Sequence, residues 1–228
     1  MKIRLILALC IFCITKGSAQ TEKIYAVKMG EVPNKVIPRE AVYLLPAFTR
    51  GTVFFKDGSS STQRFNYNSL LDEMHFINGQ GDTLAIAEAV LINSVEIDSL
   101  KFYYDSGYIQ QVFTHGNYKL ALKERWIQIP GKKAGAYNTG SDGGAIETYS
   151  TVITGNGPIG RLQTQKDGLY KNEFFLYIGD KFNHFLRANK KSFHTFFKDK
   201  NIAQYLKEHQ VDFDKEEDLE ALLLFCTE

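Results

Sequence analysis

Tight-turn chemistry recurs between short runs of β-branched and aromatic residues from Lys23 to Pro130, and a chain punctuated this way points to an antiparallel β-meander. Asp57-Gly58, Asn78-Gly79-Gln80-Gly81-Asp82 and Gly116-Asn117 each offer the positive φ that tight hairpins require. The runs they separate predict strands near Lys23 to Lys28, Gly51 to Lys56, Thr62 to Tyr67, Met74 to Ile77, Thr83 to Ala87, Val95 to Ile97, Lys101 to Tyr104, Tyr108 to Thr114 and Tyr118 to Ile129. In the last of these Tyr118, Leu120 and Leu122 alternate with Lys119, Ala121 and Lys123, the period of two of a strand with one buried face. From Trp126 that phase is lost, so either a bulge near Glu124 re-aims the strand or two shorter strands meet there.

Beyond the meander, Gly131 to Gly144 holds five glycines and almost nothing that could anchor a core, which predicts a loop or linker over residues 131–158. Ile146 to Thr154 and Phe174 to Ile178 read as strands, and Gly179-Asp180 turns into a further short strand from Phe182 to Leu186. The period then changes. Phe193, Phe196 and Phe197 follow Ser192; Ile202, Tyr205 and Leu206 follow Asp199; Leu219, Leu222, Leu223 and Cys226 follow Asp214. Each set is spaced as one face of a helix behind an N-cap, and Asp214 with Glu217 resembles a capping box. The expected fold class is α+β, a predominantly antiparallel, twisted or partly closed sheet that carries short C-terminal helices. Residues 20–130 form its β-rich meander, and a hairpin plus helices over residues 159–228 packs either with that meander or apart from it.

At the start of the chain Lys2 and Arg4 precede an uninterrupted apolar run from Leu5 to Ile14, followed by Thr15, Lys16, Gly17, Ser18 and Ala19. This is the three-part pattern of a secretory signal peptide, and the small residues Gly17 and Ala19 place cleavage between Ala19 and Gln20. The run is about half of the roughly 20 residues that span a bilayer, so no transmembrane segment is expected in the mature chain. Lys2, Arg4 and Lys16 leave with residues 1–19, so 27 basic residues become 24 against 26 acidic ones, and the formal charge moves from +1 to −2. Such a balance does not support a nucleic-acid surface. Cys10 and Cys13 leave as well. Cys226 alone cannot form an internal disulfide, and its apolar helical setting suits a small core residue.

Gly51-Thr-Val-Phe-Phe-Lys-Asp-Gly58, Phe65-Asn66-Tyr67-Asn68, Met74-His75-Phe76 and Gly81-Asp82-Thr83-Leu84 together resemble a group of exported Bacteroidetes-type β-rich proteins with no assigned activity. The stretch from Asn189-Lys190-Lys191 to Glu217-Asp218-Leu219 is similar to a tail shared by exported proteins of such bacteria. The resemblance implies export and the domain boundaries above, and it brings no catalytic residue with it.

Chemistry is thinly signalled. Gly155-Asn156-Gly157-Pro158-Ile159-Gly160 matches a dinucleotide fingerprint as a string, but Arg161 to Gly168 is polar and turn-like, without the helix that must face a pyrophosphate. His75, His115, His184, His194 and His209 are scattered, with no His-x-x-x-His and no cysteine pair, so no metal or other cofactor is implied. No Gly-x-Ser-x-Gly is present, and no catalytic residue is assigned. Two features suit binding. Asn66-Tyr67-Asn68 sets two short amides beside a ring, where they either face a ligand or close a bend on their own backbone. Tyr103, Tyr104, Tyr108 and Tyr118 would make a platform for a sugar or a protein where a sheet face is open, although alternation sends about half of such rings into a core. The function expected is therefore a non-enzymatic periplasmic or secreted protein that binds an envelope component, protein or glycan. The competing expectations are a hydrolase acting on cell wall or glycan and a self-associating structural protein.

Fractionation of cells making the full chain should place the protein outside the inner membrane, with Gln20 at the N-terminus by mass spectrometry. Cytosolic protein that retains Met1 would refute the leader.

Overall fold

The computed structural model describes residues 23–129 and 163–228; the expected leader, the glycine-rich segment, the strand expected at Ile146 to Thr154 and the Gly155 to Gly160 string lie outside them. In chain order the elements are β1 (Ile24–Val27), α1 (Pro33–Val36), α2 (Arg39–Val42), β2 (Thr49–Phe55), β3 (Ser60–Asn68), β4 (Glu73–Ile77), β5 (Thr83–Ala85), β6 (Ile92–Ile97), β7 (Leu100–Tyr104), β8 (Tyr108–His115), β9 (Tyr118–Ile129), β10 (Gly168–Gly179), β11 (Phe185–Arg187), α3 (Lys190–Phe196), α4 (Ile202–Glu208) and α5 (Glu216–Thr227). The strands form one antiparallel sheet, ordered β1-β10-β9-β8-β7-β6-β2-β3-β4-β5. It is not closed. The outer edge of β10 is divided, with β1 on Gly168 to Lys171 and β11 on Tyr177 to Gly179. No helix among the described residues is long and apolar enough to cross a membrane.

Strand β9 runs without a bulge along β10, from Ile129 opposite Leu169 to Lys119 opposite Gly179. The irregularity lies on its other partner, β8, between Gln111 and Phe113. The lost phase at Trp126 therefore has a different cause. Leu120, Leu122, Glu124 and Trp126 share one face of an unbroken strand, and a carboxylic acid occupies one of the inward places. Opposite them on β10 stand Ile178, Leu176, Phe174 and Asn172.

The helices lie where the apolar spacing puts them, but their caps differ. Asn189 starts α3, accepting from the Ser192 N–H while the Ser192 hydroxyl accepts from the Asn189 N–H, so Ser192 is the third residue of the helix rather than its cap. Asn201, not Asp199, caps α4, and α5 begins after Lys215 with no side-chain cap. Apolar spacing locates a helix by its whole length, whereas a cap depends on the backbone angles of one residue.

Three clusters of buried residues cover the inner face of the sheet. Leu120, Leu176 and Ile178 pack under the helices against Phe193, Phe197, Ile202, Leu219, Leu222, Leu223 and Cys226. Burial pushes the Cys226 thiol up to about 11, which leaves it un-ionised and unreactive at neutral pH. At the other end Trp126 and Tyr170 are covered by Val27 of β1, Ile37 just after α1, Val42 of α2 and Leu70 of the β3–β4 loop. The third cluster fills the curl of the sheet, where Val53, Phe65, Tyr67 and Met74 meet Val95, Phe102 and Tyr108.

A polar clamp fixes that curl. Asp72 in the β3–β4 loop accepts at one oxygen from the Tyr67 hydroxyl and the Tyr108 N–H, both at 2.9 Å. Its other oxygen lies 3.7 Å from the Lys123 ammonium, which donates to the Ser106 carbonyl at 2.8 Å. Strands β3 and β8, separated in the sheet by β7, β6 and β2, are thus tied at one corner. Gly107 sits in this corner at φ +121°, and a Cβ there would overlap both the Asp72 carboxylate and the Lys123 ammonium.

Gly107→Ala is expected to cost about 3 kcal/mol through strain and displacement of the clamp. Gly116→Ala, at φ +58° with nothing within 4 Å of its added carbon, is expected to cost about 1 kcal/mol. Urea denaturation of both variants checks the difference, which combines the displaced clamp with the less accessible backbone angle at Gly107.

Candidate functional site

Between the helical cluster and the Trp126 cluster the inner face is left uncovered along one strip of β9 and β10. Leu122 and Glu124 of β9, Phe174 of β10, Tyr108 and Gln110 of β8, Phe102 of β7 and Tyr67 of β3 line a cleft there, with Leu44 on its rim. Leu44 and Phe174 are 37% and 43% exposed, so the mouth is apolar. The space within is about 30 Å3, enough for about two water-sized groups. Small-molecule pockets run to roughly 300 Å3 and more, so this cleft admits the tip of a group and not a sugar ring.

The floor is polar. Glu124 accepts from the Asn172 side-chain amide across the β9–β10 pair. Burial holds Glu124 above the usual carboxylate range, and the Asn172 amide and the Ser69 hydroxyl, both within reach of the carboxyl, oppose that shift in part. The Ser69 oxygen also accepts from the Trp126 N–H and lies 3.1 Å from the Val42 carbonyl. The Tyr108 hydroxyl is buried without a hydrogen-bond partner among the described residues, as is the Asn172 side-chain oxygen. Burial raises the Tyr67 and Tyr108 phenols well above their ordinary value, so both stay neutral. Tyr67 and Tyr108 meet edge to face at 5.9 Å, and Phe102 lies 5.6 Å from Tyr67.

The residues singled out from the sequence fall in several places. Asn66 bonds the Leu45 backbone through both ends of its amide, donating to the carbonyl at 2.7 Å and accepting from the N–H at 3.0 Å. Asn68 accepts from the Leu71 N–H at 3.0 Å, and both asparagines are buried. Tyr67, between them, points to the opposite face and reaches the cleft. Tyr104 and Tyr108 are paired across the β7–β8 hairpin, with rings 5.2 Å apart on the inner face. Tyr103 lies on the outer face, buried against Ile109, Ala121 and Phe185, and donates to Gln111. Tyr118 is at the far end of β9, 4.4 Å from the Phe197 ring. The structure brings together Tyr67, Tyr104 and Tyr108 of that set, and it adds Glu124, Gln110, Phe102, Leu122, Phe174 and Leu44. Of these only Glu124 left a mark in the sequence, as a carboxylic acid at an inward position of an alternating strand.

A second polar line lies on the outer face. The Tyr43 hydroxyl is 2.7 Å from Nδ1 of His75, whose Nε2 is 2.9 Å from the Glu73 carboxylate. An ionised Glu73 can only accept, so the hydrogen of a neutral His75 sits on Nε2 and Nδ1 accepts from Tyr43. The Arg39 guanidinium stacks over the Tyr43 and Phe48 rings at 5.0 and 5.5 Å, and His75 is buried. Among the described residues no group of three or more His, Cys, Asp or Glu side chains converges as a metal site.

Glu124→Gln keeps the shape of the site and removes its titration. A carboxyl whose folded-state pKa is raised leaves the folded protein holding more protons than the unfolded chain, so stability falls as pH rises above the ordinary value of 4.5 and levels off above the folded value. The thermal midpoint of Glu124→Gln should therefore exceed that of the parent at pH 8 by about 2 to 4 °C, with the gap closing toward pH 4. Calorimetry across that range checks it, and a gap that widens on acidification would contradict the assignment. Chemistry must be read from the site itself, because no protein-family model, curated protein or solved structure matches the chain.

Proposed function

We propose that the protein is an exported, non-enzymatic member of the β-rich group it resembles, and that it binds an envelope component, a protein or a glycan, at the mouth of the curled sheet. The observation that carries this reading is the cleft itself, an exposed apolar rim over a buried polar floor in which Glu124 is the single carboxyl group among the described residues. Acid–base hydrolysis of a glycan needs two carboxyl groups flanking a substrate-sized space. Here the next carboxylate, Asp72, is bound to Tyr67, Tyr108 and Lys123, and the space holds only the tip of a side chain. Recognition of a protruding group on a larger partner suits these dimensions. The signal-peptide pattern of residues 1–19 supports an extracytoplasmic setting.

The competing reading, a hydrolase acting on cell wall or glycan, draws on the Tyr43, His75 and Glu73 line, in which a hydroxyl, a base and an orienting carboxylate are correctly ordered. Against it, the imidazole is buried with both nitrogens engaged, and the phenol is stacked beneath Arg39.

A photo-crosslinking residue at position 174 should capture a defined envelope protein or glycan in intact cells, while the same residue at position 62 on the outward face of β3 should not. The captured species should bind the purified mature chain, with affinity at least about tenfold lower after Leu44→Ala and Phe174→Ala together. Turnover of a glycan by the purified protein, with no partner captured, would replace this reading by the hydrolase.

A further inference from the structure

We propose that the cleft is a receptor for a primary ammonium group carried on an alkyl stem, with the ammonium against Glu124 and the stem between Leu44 and Phe174. This inference rests on the binding reading above and names the chemistry of its ligand. Size is the first ground. A space of about 30 Å3 suits a head group of one or two heavy atoms and is too small for a sugar ring. The second ground is the match of donors to acceptors. An ammonium brings three N–H groups, the lining residues Glu124 and Gln110 carry side-chain acceptors, and Tyr108 of the same wall, 98% buried, has a hydroxyl otherwise without a partner that a small side-chain shift would present. Third, Tyr67, Phe102, Tyr108 and Phe174 contribute four aromatic rings to the same lining, and aromatic rings attract a desolvated cation.

The rim completes the fit. Leu44 and Phe174 are the exposed apolar members of the lining, and the methylenes of a lysine-like stem would cover them while the charge sits below. Of the formally charged side chains about the cleft, Glu124 lines it, whereas Asp72 and Lys123 face each other behind Gly107. Tyr67, Tyr108 and the adjacent Tyr104 remain neutral. Among the described residues an ammonium entering the cleft therefore meets one group able to balance its charge, and Glu124 loses its proton to solvent as the cation takes its place.

The test uses the purified mature chain, observed by NMR and titration calorimetry with n-butylammonium, Nα-acetyl-lysine methylamide and cadaverine, and with n-butanol as the neutral counterpart. Binding of n-butylammonium is expected near ~1 mM, a reasonable scale for so small a ligand, with n-butanol at least about tenfold weaker. Glu124→Gln should lower the amine affinity about tenfold while keeping the thermal midpoint at or above the parent's, and Phe174→Ala should lower it severalfold. Tighter binding of Nα-acetyl-lysine methylamide than of cadaverine identifies a lysine side chain as the source of the ammonium, and the reverse identifies a free diamine. Equal binding of amine and alcohol, or an amine affinity untouched by Glu124→Gln, would overturn the inference, as would a cleft that retains only water at 50 mM amine. An envelope partner captured at position 174 that binds Glu124→Gln as tightly as the parent would overturn the ammonium site and leave the binding reading standing.

Discussion

The carboxylate of Asp72 holds together parts of the sheet that strand pairing alone leaves apart. A meander of short antiparallel strands twists, but nothing in its ladder fixes how far it curls. Here the Tyr67 hydroxyl and the Tyr108 N–H share one Asp72 oxygen while Lys123 faces the other, so β3 is drawn over β8 and the space between them becomes a core. Burial lowers the Lys123 pKa, and the nearby Asp72 offsets part of that cost. The Tyr67 and Tyr108 rings that form one wall of the cleft are placed by this contact, and the site therefore depends on a clamp that is not itself part of it.

The inner face explains why the cleft exists at all. Helices cover one end of β9 and β10, and β1 with the two short helices covers the other. A carboxylic acid at the inward place between them, opposite Phe174, interrupts what would otherwise be a continuous apolar strip. Burying a carboxyl is costly unless its oxygens find partners, and Asn172 and Ser69 supply them from β10 and from the β3–β4 loop. Glu124 is thus tied to structure on two sides and lines the cleft on the third.

Much of the sheet could be read from residue order, because Asp57-Gly58, Gly81 and Gly116 announce hairpins in the local chain and each carries positive φ in the structure. The four-residue helices Pro33–Val36 and Arg39–Val42 left no such sign, being shorter than the repeat that betrays a helix. Alternation in β9 marked Lys119 and Lys123 as the solvent side, yet both are buried, since the turn at Asp180 and the clamp at Asp72 cover that face locally. The cleft itself was the least legible part. Its walls come from β3, β7, β8, β9 and β10, so no spacing in sequence joins Tyr67 to Glu124 or Gln110 to Phe174, and only the curl brings them within reach.

The pairing of β1 with β10 sets an order of events for the growing chain. Ile24 waits for Lys171 before its backbone groups are satisfied, and Trp126 waits with it for Tyr170. Loop closure over such a span must be completed before the contacts it permits can repay it, so this half of the sheet is slow to assemble. A nascent chain that has emerged only as far as β9 has neither the strand that seats its beginning nor the helices that cover Leu120. That half is therefore the last part of the sheet to become fixed, after the curled meander ahead of it has its own core.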